Sequence, residues 1–215
     1  MNKETRIQSI NEIITRDKDN PFNKIEIPWK DDLVTMNVYK IPLNLLVYNK
    51  YNGRILSRTK SLETQNHLID AYSDNGKNIL EQLLWDSKAD RNKKTQKNIV
   101  DFGQQKIGII TKDGIIIDGN RRAMLLNDIQ NEGKLSGKRY DKKYDYFKAV
   151  VLPVRLDENP LEIEKLETSF QMGEDQKLSY NATEKYLKAK GLYNRLAGGK
   201  KFTIDNIDET AISKI

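Results

Sequence analysis

Residues 107–122 read IGIITKDGIIIDGNRR, two isoleucine-rich runs parted by a turn and followed at once by a polar, glycine-containing box. Ile107–Ile110 and Ile115–Ile117 have the β-branched content of strands, and Lys112-Asp113-Gly114 between them predicts a hairpin closed by a tight primed turn. Ala123, Met124, Leu125, Leu126 and Ile129 then recur at helical spacing, so Asp118-Gly119-Asn120-Arg121-Arg122 falls at a strand-to-helix junction. Free N–H groups and the helix dipole favour an anion at such a place, and glycine lets a ligand approach the backbone closely. Two adjacent arginines add planar guanidinium forks suited to phosphate oxygens. An ordinary capped helix with two solvent-facing arginines fits the same residues. Asp118 is placed to orient an arginine, cap the helix or help hold a metal ion.

Upstream, Ile7, Ile10, Ile13 and Ile14 predict a packed helix over Asn2–Thr15, and Leu33–Ile41 alternates as a strand that Pro42 ends. Asn49–Arg54 is a turn or loop. Ser61 is read as the N-cap of a helix carrying Leu62, Leu68, Ile69 and Tyr72, stopped by Asp74-Asn75-Gly76. Ile79, Leu80, Leu83, Leu84 and Trp85 form a second amphipathic helix, and Asn98–Gln105 closes a third. Between them Lys88, Arg91, Lys93, Lys94 and Lys97 outnumber Asp86 and Asp90. That excess suits either a solvated helix face or a nucleic-acid patch.

Downstream, the like charges and glycine of Glu132–Lys148 predict an exposed, mobile segment, followed by a strand over Phe147–Leu156. Pro160 opens a helix to about Met172, its Glu162, Glu164 and Glu167 reading as a solvated face from which Glu167 can turn inward. A further helix is expected over Ala182–Lys190, and Phe202–Ile215 reads as the start of another, as in a truncated chain. Trp29 and Trp85 read as core aromatics, His67 as a helix residue at or near the surface, and Tyr140, Tyr144 and Tyr146 as loop residues or base-stacking platforms.

The 215 residues, 37% hydrophobic and 32% charged, allow one domain with an appendage or two small ones, with enough apolar content for a core. Zero Cys excludes disulfides, cysteine nucleophiles and thiolate metal sites, and one His leaves no histidine-rich metal site. A Ser-His-Asp hydrolase would need His67, and no nucleophile-elbow sequence occurs. The net charge of +6 favours polyanions. No apolar run is long enough to span a bilayer, and the first twenty residues lack a signal-peptide core, so a soluble cytoplasmic protein without a membrane partner is expected.

In this setting the chain resembles the ParB amino-terminal domain and the wider ParB/sulfiredoxin-like superfamily, over about Val34–Leu187. The resemblance lies in Ile41-Pro42-Leu43-Asn44-Leu45-Leu46, in Asn49–Arg54 at the place of that family's Asn-Pro-Arg loop, and in Ile115–Ala123 as its phosphate box. Leu166–Gln171 followed by Leu178–Glu184 resembles the lead into its DNA-binding helices. The resemblance implies an α/β (α+β) fold, a small mixed sheet with flanking helices and a C-terminal helical extension. It divides the chain into a lead-in (1–32), a nucleotide-binding domain (33–178) and the start of a helical, helix-turn-helix-like extension (179–215).

It also implies a nucleoside triphosphate ligand, CTP or ATP, with Mg²⁺. Asp118, Gly119, Asn120, Arg121, Arg122, Arg54 and Gln171 would bind it, and Asp118 and Glu167 would hold the metal. DNA is the implied partner of the full-length protein, and a homodimer is possible. Two departures bear on chemistry. Asn120 stands where ParB partition proteins usually carry a Glu tied to hydrolysis, and an amide cannot act as a base; sulfiredoxins carry a reactive Cys there. Glu167-Thr168 and Gln171 are what remains of the family's Glu-Asn-x-x-Arg segment. Besides a nucleotide switch or NTPase, the residues admit a metal-dependent nuclease using Asp118 with Glu167 or Asp113, or a noncatalytic DNA-binding or partner-docking module.

Overall fold

The computed structural model describes residues 1–136 and 141–173, and in a further helical stretch residues 187, 189–191 and 193. Alternation along the isoleucine-rich strands sends successive side chains to opposite sides of one sheet. Tyr39, Ile41, Ile110, Ile116, Phe147 and Ala149 enter one core, while Val38, Ile109, Ile117, Val150 and Leu152 enter another. The strands are β1 (Asn23–Trp29), β2 (Asp32–Pro42), β3 (Gly108–Ile110), β4 (Ile116–Asp118) and β5 (Tyr146–Val151), in the order β1-β2-β5-β3-β4. Only the β3–β5 pair is parallel, so the sheet is mixed, as expected of an α/β chain.

The first core is closed by α1 (Lys3–Arg16), α3 (Asp74–Ser87), α4 (Ala89–Phe102) and α5 (Asn120–Leu135). The second is closed by α6 (Pro160–Gly173) through Ile163 and Leu166. The first 32 residues share both the sheet and its cores: Ile10 and Ile13 of α1 pack in the first, and β1 pairs with β2 and buries Ile27 and Trp29 in the second. β1 was not read from the sequence, because Pro28 and the charges around Ile25 and Ile27 mask its alternation.

Three local readings change. The hairpin turn is not a two-residue primed turn, since Gly114 alone of Lys112-Asp113-Gly114 has positive φ, at 85°. Gly114 N donates to Thr111 O at 2.9 Å and Ile115 N to the Thr111 hydroxyl at 3.0 Å, so the threonine side chain makes a longer turn competent. Ser61 lies inside α2 (Leu56–Thr64), and the helix stops at Asn66, whose φ is 63°. Leu68 is left exposed and His67 is an exposed loop residue. Asp74-Asn75-Gly76 begins α3 rather than ending α2. Ser73 caps it by accepting from Gly76 N at 3.0 Å, and a Cβ on Gly76 would lie 1.8 Å from Asp70 O.

The segment 132–148, expected to be exposed and mobile, is built into the fold at both ends. Residues 132–135 finish α5, Lys142–Asp145 make a 3₁₀ turn, and Tyr144 is buried with its hydroxyl donating to Val100 O at 3.1 Å. Tyr144 and Phe147 outweigh the surrounding charges. β5 is shorter than expected because Pro153 has no N–H to offer a neighbouring strand. Of the expected carboxyl-terminal helices, residues 187, 189–191 and 193 are helical, with Tyr193 buried and Gly191 near Glu164. Residues 202–215 lie outside the described ones. No helix among the described residues is long and apolar enough to cross a membrane.

Burial separates two leucines that the sequence had placed on successive helix faces. Leu84→Ala should cost about 2–5 kcal/mol, because Leu84 is wholly enclosed, whereas Leu68→Ala should stay within about 0.5 kcal/mol of wild type. Urea unfolding of both variants measures the difference.

Candidate anion-binding site

Val47 sets the geometry by running alongside β4. Its N–H donates to Gly114 O and its carbonyl accepts from Ile116 N, both at 2.9 Å, in a parallel bridge to Ile115. The chain leaving Val47 therefore reaches the end of β4 where α5 begins. Asn120 then ties the two together. Its Oδ1 accepts from Asn49 N and its Nδ2 donates to Ile116 O, each at 3.0 Å, while the residue itself is buried. A Glu or Asp at this position could accept the first bond but not donate the second. Gly119 makes the corner in a left-handed conformation (φ 102°), and a Cβ there would come within 2.6 Å of Phe147 Cζ.

The loop from Asn49 to Arg54 is held on its other side by α6. Glu167 is buried and its Oε1 accepts from Asn52 Nδ2 and from Gly53 N, both at 3.2 Å. Within the loop, Asn49 Oδ1 accepts from Tyr51 N and Asn52 Oδ1 from Arg54 N, which fixes where Arg54 leaves the backbone. The expectation of a solvated Glu162–Glu167 face is thus corrected, since Glu164 and Glu167 are both buried. The inward turn of Glu167 anchors the loop.

Between α4, this loop and the start of α5 lies a cleft of about 450 Å³. Asp118, Gly119, Asn120, Arg121, Arg122 and Arg54 all line it, joined by Asn52, Lys94, Thr95, Asn98 and the 103–106 segment. Glu167 does not line it, and the side chain of Gln171 lies outside the described residues. Asp118, at the end of β4 and the one carboxylate among the cleft's described residues, is engaged in an ion pair by the Arg122 guanidinium four positions on. Arg122 Nη1 also reaches Ile107 O at 3.5 Å, so this arginine braces β4 and the β3 lead-in. No group of three or more His, Cys, Asp or Glu side chains that could hold a metal ion occurs among the described residues.

Arg121 differs from its neighbour. It is only 8% exposed, yet its side-chain partner is a neutral amide: Nε and Nη2 donate to Asn92 Oδ1 at 2.9 and 2.5 Å. Asn92, wholly buried on α4, is itself fixed by donation to Trp85 O at 2.6 Å. Burial, and then the fields of Arg54 and Arg91, push the Arg121 guanidinium down to about 10. It therefore keeps its proton at neutral pH and remains a cation without a counter-ion among the described residues. Asn92 and Arg91 were not singled out as site residues from sequence; an Asn amid a lysine-rich helix gives no signal that it is the buried one.

No family model, curated protein or solved structure matches the chain.

Asn120 and Arg122 should separate by what they loosen. Asn120→Ala should cost about 1–3 kcal/mol, the usual penalty for stranding buried polar groups, and speed hydrogen exchange at Asn49–Arg54. Arg122→Ala should lower the melting temperature without that loop-specific gain, as read by amide exchange.

Proposed function

We propose that this chain is a nucleotide-binding domain of the ParB/sulfiredoxin-like kind, a triphosphate-dependent switch or NTPase, with its phosphates in the cleft at the start of α5. The observation that carries this reading is Arg121. A buried guanidinium facing two other arginines and answered, among the described residues, by an amide is unfavourable alone and is relieved by an anion. The cleft supplies the rest of such a site. Five cations, Arg54, Lys94, Lys106, Arg121 and Arg122, line it against Asp118, and the first turn of α5 lines it as well.

Its volume falls in the range of small-ligand pockets, from about 300 to 1,000 Å³. Strand, loop, helices, hairpin, glycine-arginine box, strand and helix follow in the order that the resemblance implies. The phosphate contacts would come from Arg121, Arg54 and the backbone of Gly119 and Asn120. The Asn120 side chain and the Arg122 guanidinium serve instead to hold that backbone in place.

Mg²⁺ would enter with the triphosphate, coordinated mainly by phosphate oxygens and water, as it commonly is. Asp118 is the carboxylate nearest to hand, and Glu167 is occupied with the loop. Hydrolysis, if the domain performs it, would not use residue 120 as base, and would draw on charge neutralisation by the arginines. DNA would be the partner of the full-length protein, and a second copy of the chain is admitted by the same reading.

Calorimetry with CTP, ATP and GTP in the presence of Mg²⁺ tests the proposal. At least one should bind, and Arg121→Ala should weaken it by about 1.5–3 kcal/mol, the size of a hydrogen bond to a charged group. Arg121→Lys should restore only part, because the fork to Asn92 is lost. Affinity should hold from about pH 8 to 9 and fall above about 10, as Arg121 loses its proton. Absence of binding by all three nucleotides would overturn the reading.

A further inference from the structure

We infer that the outward face of α4 is a docking surface for the phosphate backbone of duplex DNA, separate from the nucleotide cleft and not dependent on it. Asn92 and Ile99 turn inward on this helix and Lys94 lines the cleft, which leaves Lys93 and Lys97, with Lys88 at its cap, on the remaining exposed side. None of these three lysines forms an ion pair among the described residues. Lys3, Lys77 and Lys165, on α1, α3 and α6, each reach a carboxylate. Arg91 adds to the positive field, and Asp90 and Asp101 at the two ends of the helix are its carboxylates.

Lys93 and Lys97 stand one turn apart, a spacing at which like charges repel. The helix therefore carries a row of like charges, and a polyanion laid along it relieves their repulsion. The row from Lys88 to Lys97 spans about 13 Å at 1.5 Å per residue. Duplex DNA of that length carries about eight phosphates, one per ~1.7 Å of axis. Single strands are held by aromatic side chains interleaved with cations, and no aromatic residue lies between Lys88 and Lys97. A stiff, dense line of phosphates is the better complement. Contacts of this kind position the duplex without reading its sequence.

The test is fluorescence anisotropy of the full chain with a labelled duplex of mixed sequence, from about 50 to 200 mM salt, the range over which phosphate contacts are strongly screened. Wild type should bind, with an affinity that falls steeply with salt. Lys93→Glu/Lys97→Glu should bind about tenfold or more weakly and with a salt slope shallower by about two, one for each lost contact. Both residues are exposed and outside the cleft, so thermal unfolding and nucleotide binding should be unchanged; this separates failure here from failure of the nucleotide reading. Equal duplex binding by the double variant, no duplex binding by wild type at low salt, or equal competition by single-stranded DNA would each overturn the inference.

Discussion

The two hydrogen bonds of the Asn120 amide hold together the parts that make the cleft. One reaches forward to the Asn49 backbone and the other back to Ile116 in β4, across 71 positions of sequence in the first case. Both partners are buried backbone groups, so neither bond has water as a ready substitute. An amide is the side chain that can both accept and donate there, which gives residue 120 a reason to be Asn independent of catalysis. With the corner set by Gly119 against Phe147, the first turn of α5 and the Asn49–Arg54 loop are positioned as one unit.

The two arginines of the box do different work because of what each can reach. Arg122 looks back across the corner to Asp118 at the end of β4 and is neutralised there. Arg121 points across to α4, where the buried residue facing it is Asn92 rather than a carboxylate. Leaving a buried cation with an amide conserves its charge for something else; a carboxylate at position 92 would have neutralised it. The electrostatic character of the cleft therefore depends on a residue of α4 as much as on the box itself.

The loop opposite α5 is secured from behind by Glu167 of α6 and from in front by Asn120, so it spans the two cores of the molecule. Arg54 leaves from the end of this doubly anchored segment. The loop is held through its backbone and through Asn52, and Arg54 lines the cleft from its end.

By itself the sequence determined the hairpin at 107–117, the strand-to-helix position of Asp118–Arg122, the amino-terminal helix and the helix after Pro160, because periodicity and turn residues are local signals. It also indicated that Arg122, four positions on from Asp118 across the strand-to-helix corner, has that carboxylate within reach. Only the tertiary structure decided that Ser73 rather than Ser61 begins a helix, since Gly76 is required by the closeness of Asp70, and that Glu167 is an anchor rather than part of a solvated face. The partner of Arg121 was likewise not legible in the box. Arg122 has its partner close by in sequence, at the end of β4, whereas Arg121 is directed toward Asn92, brought there by the packing of α4 on α5.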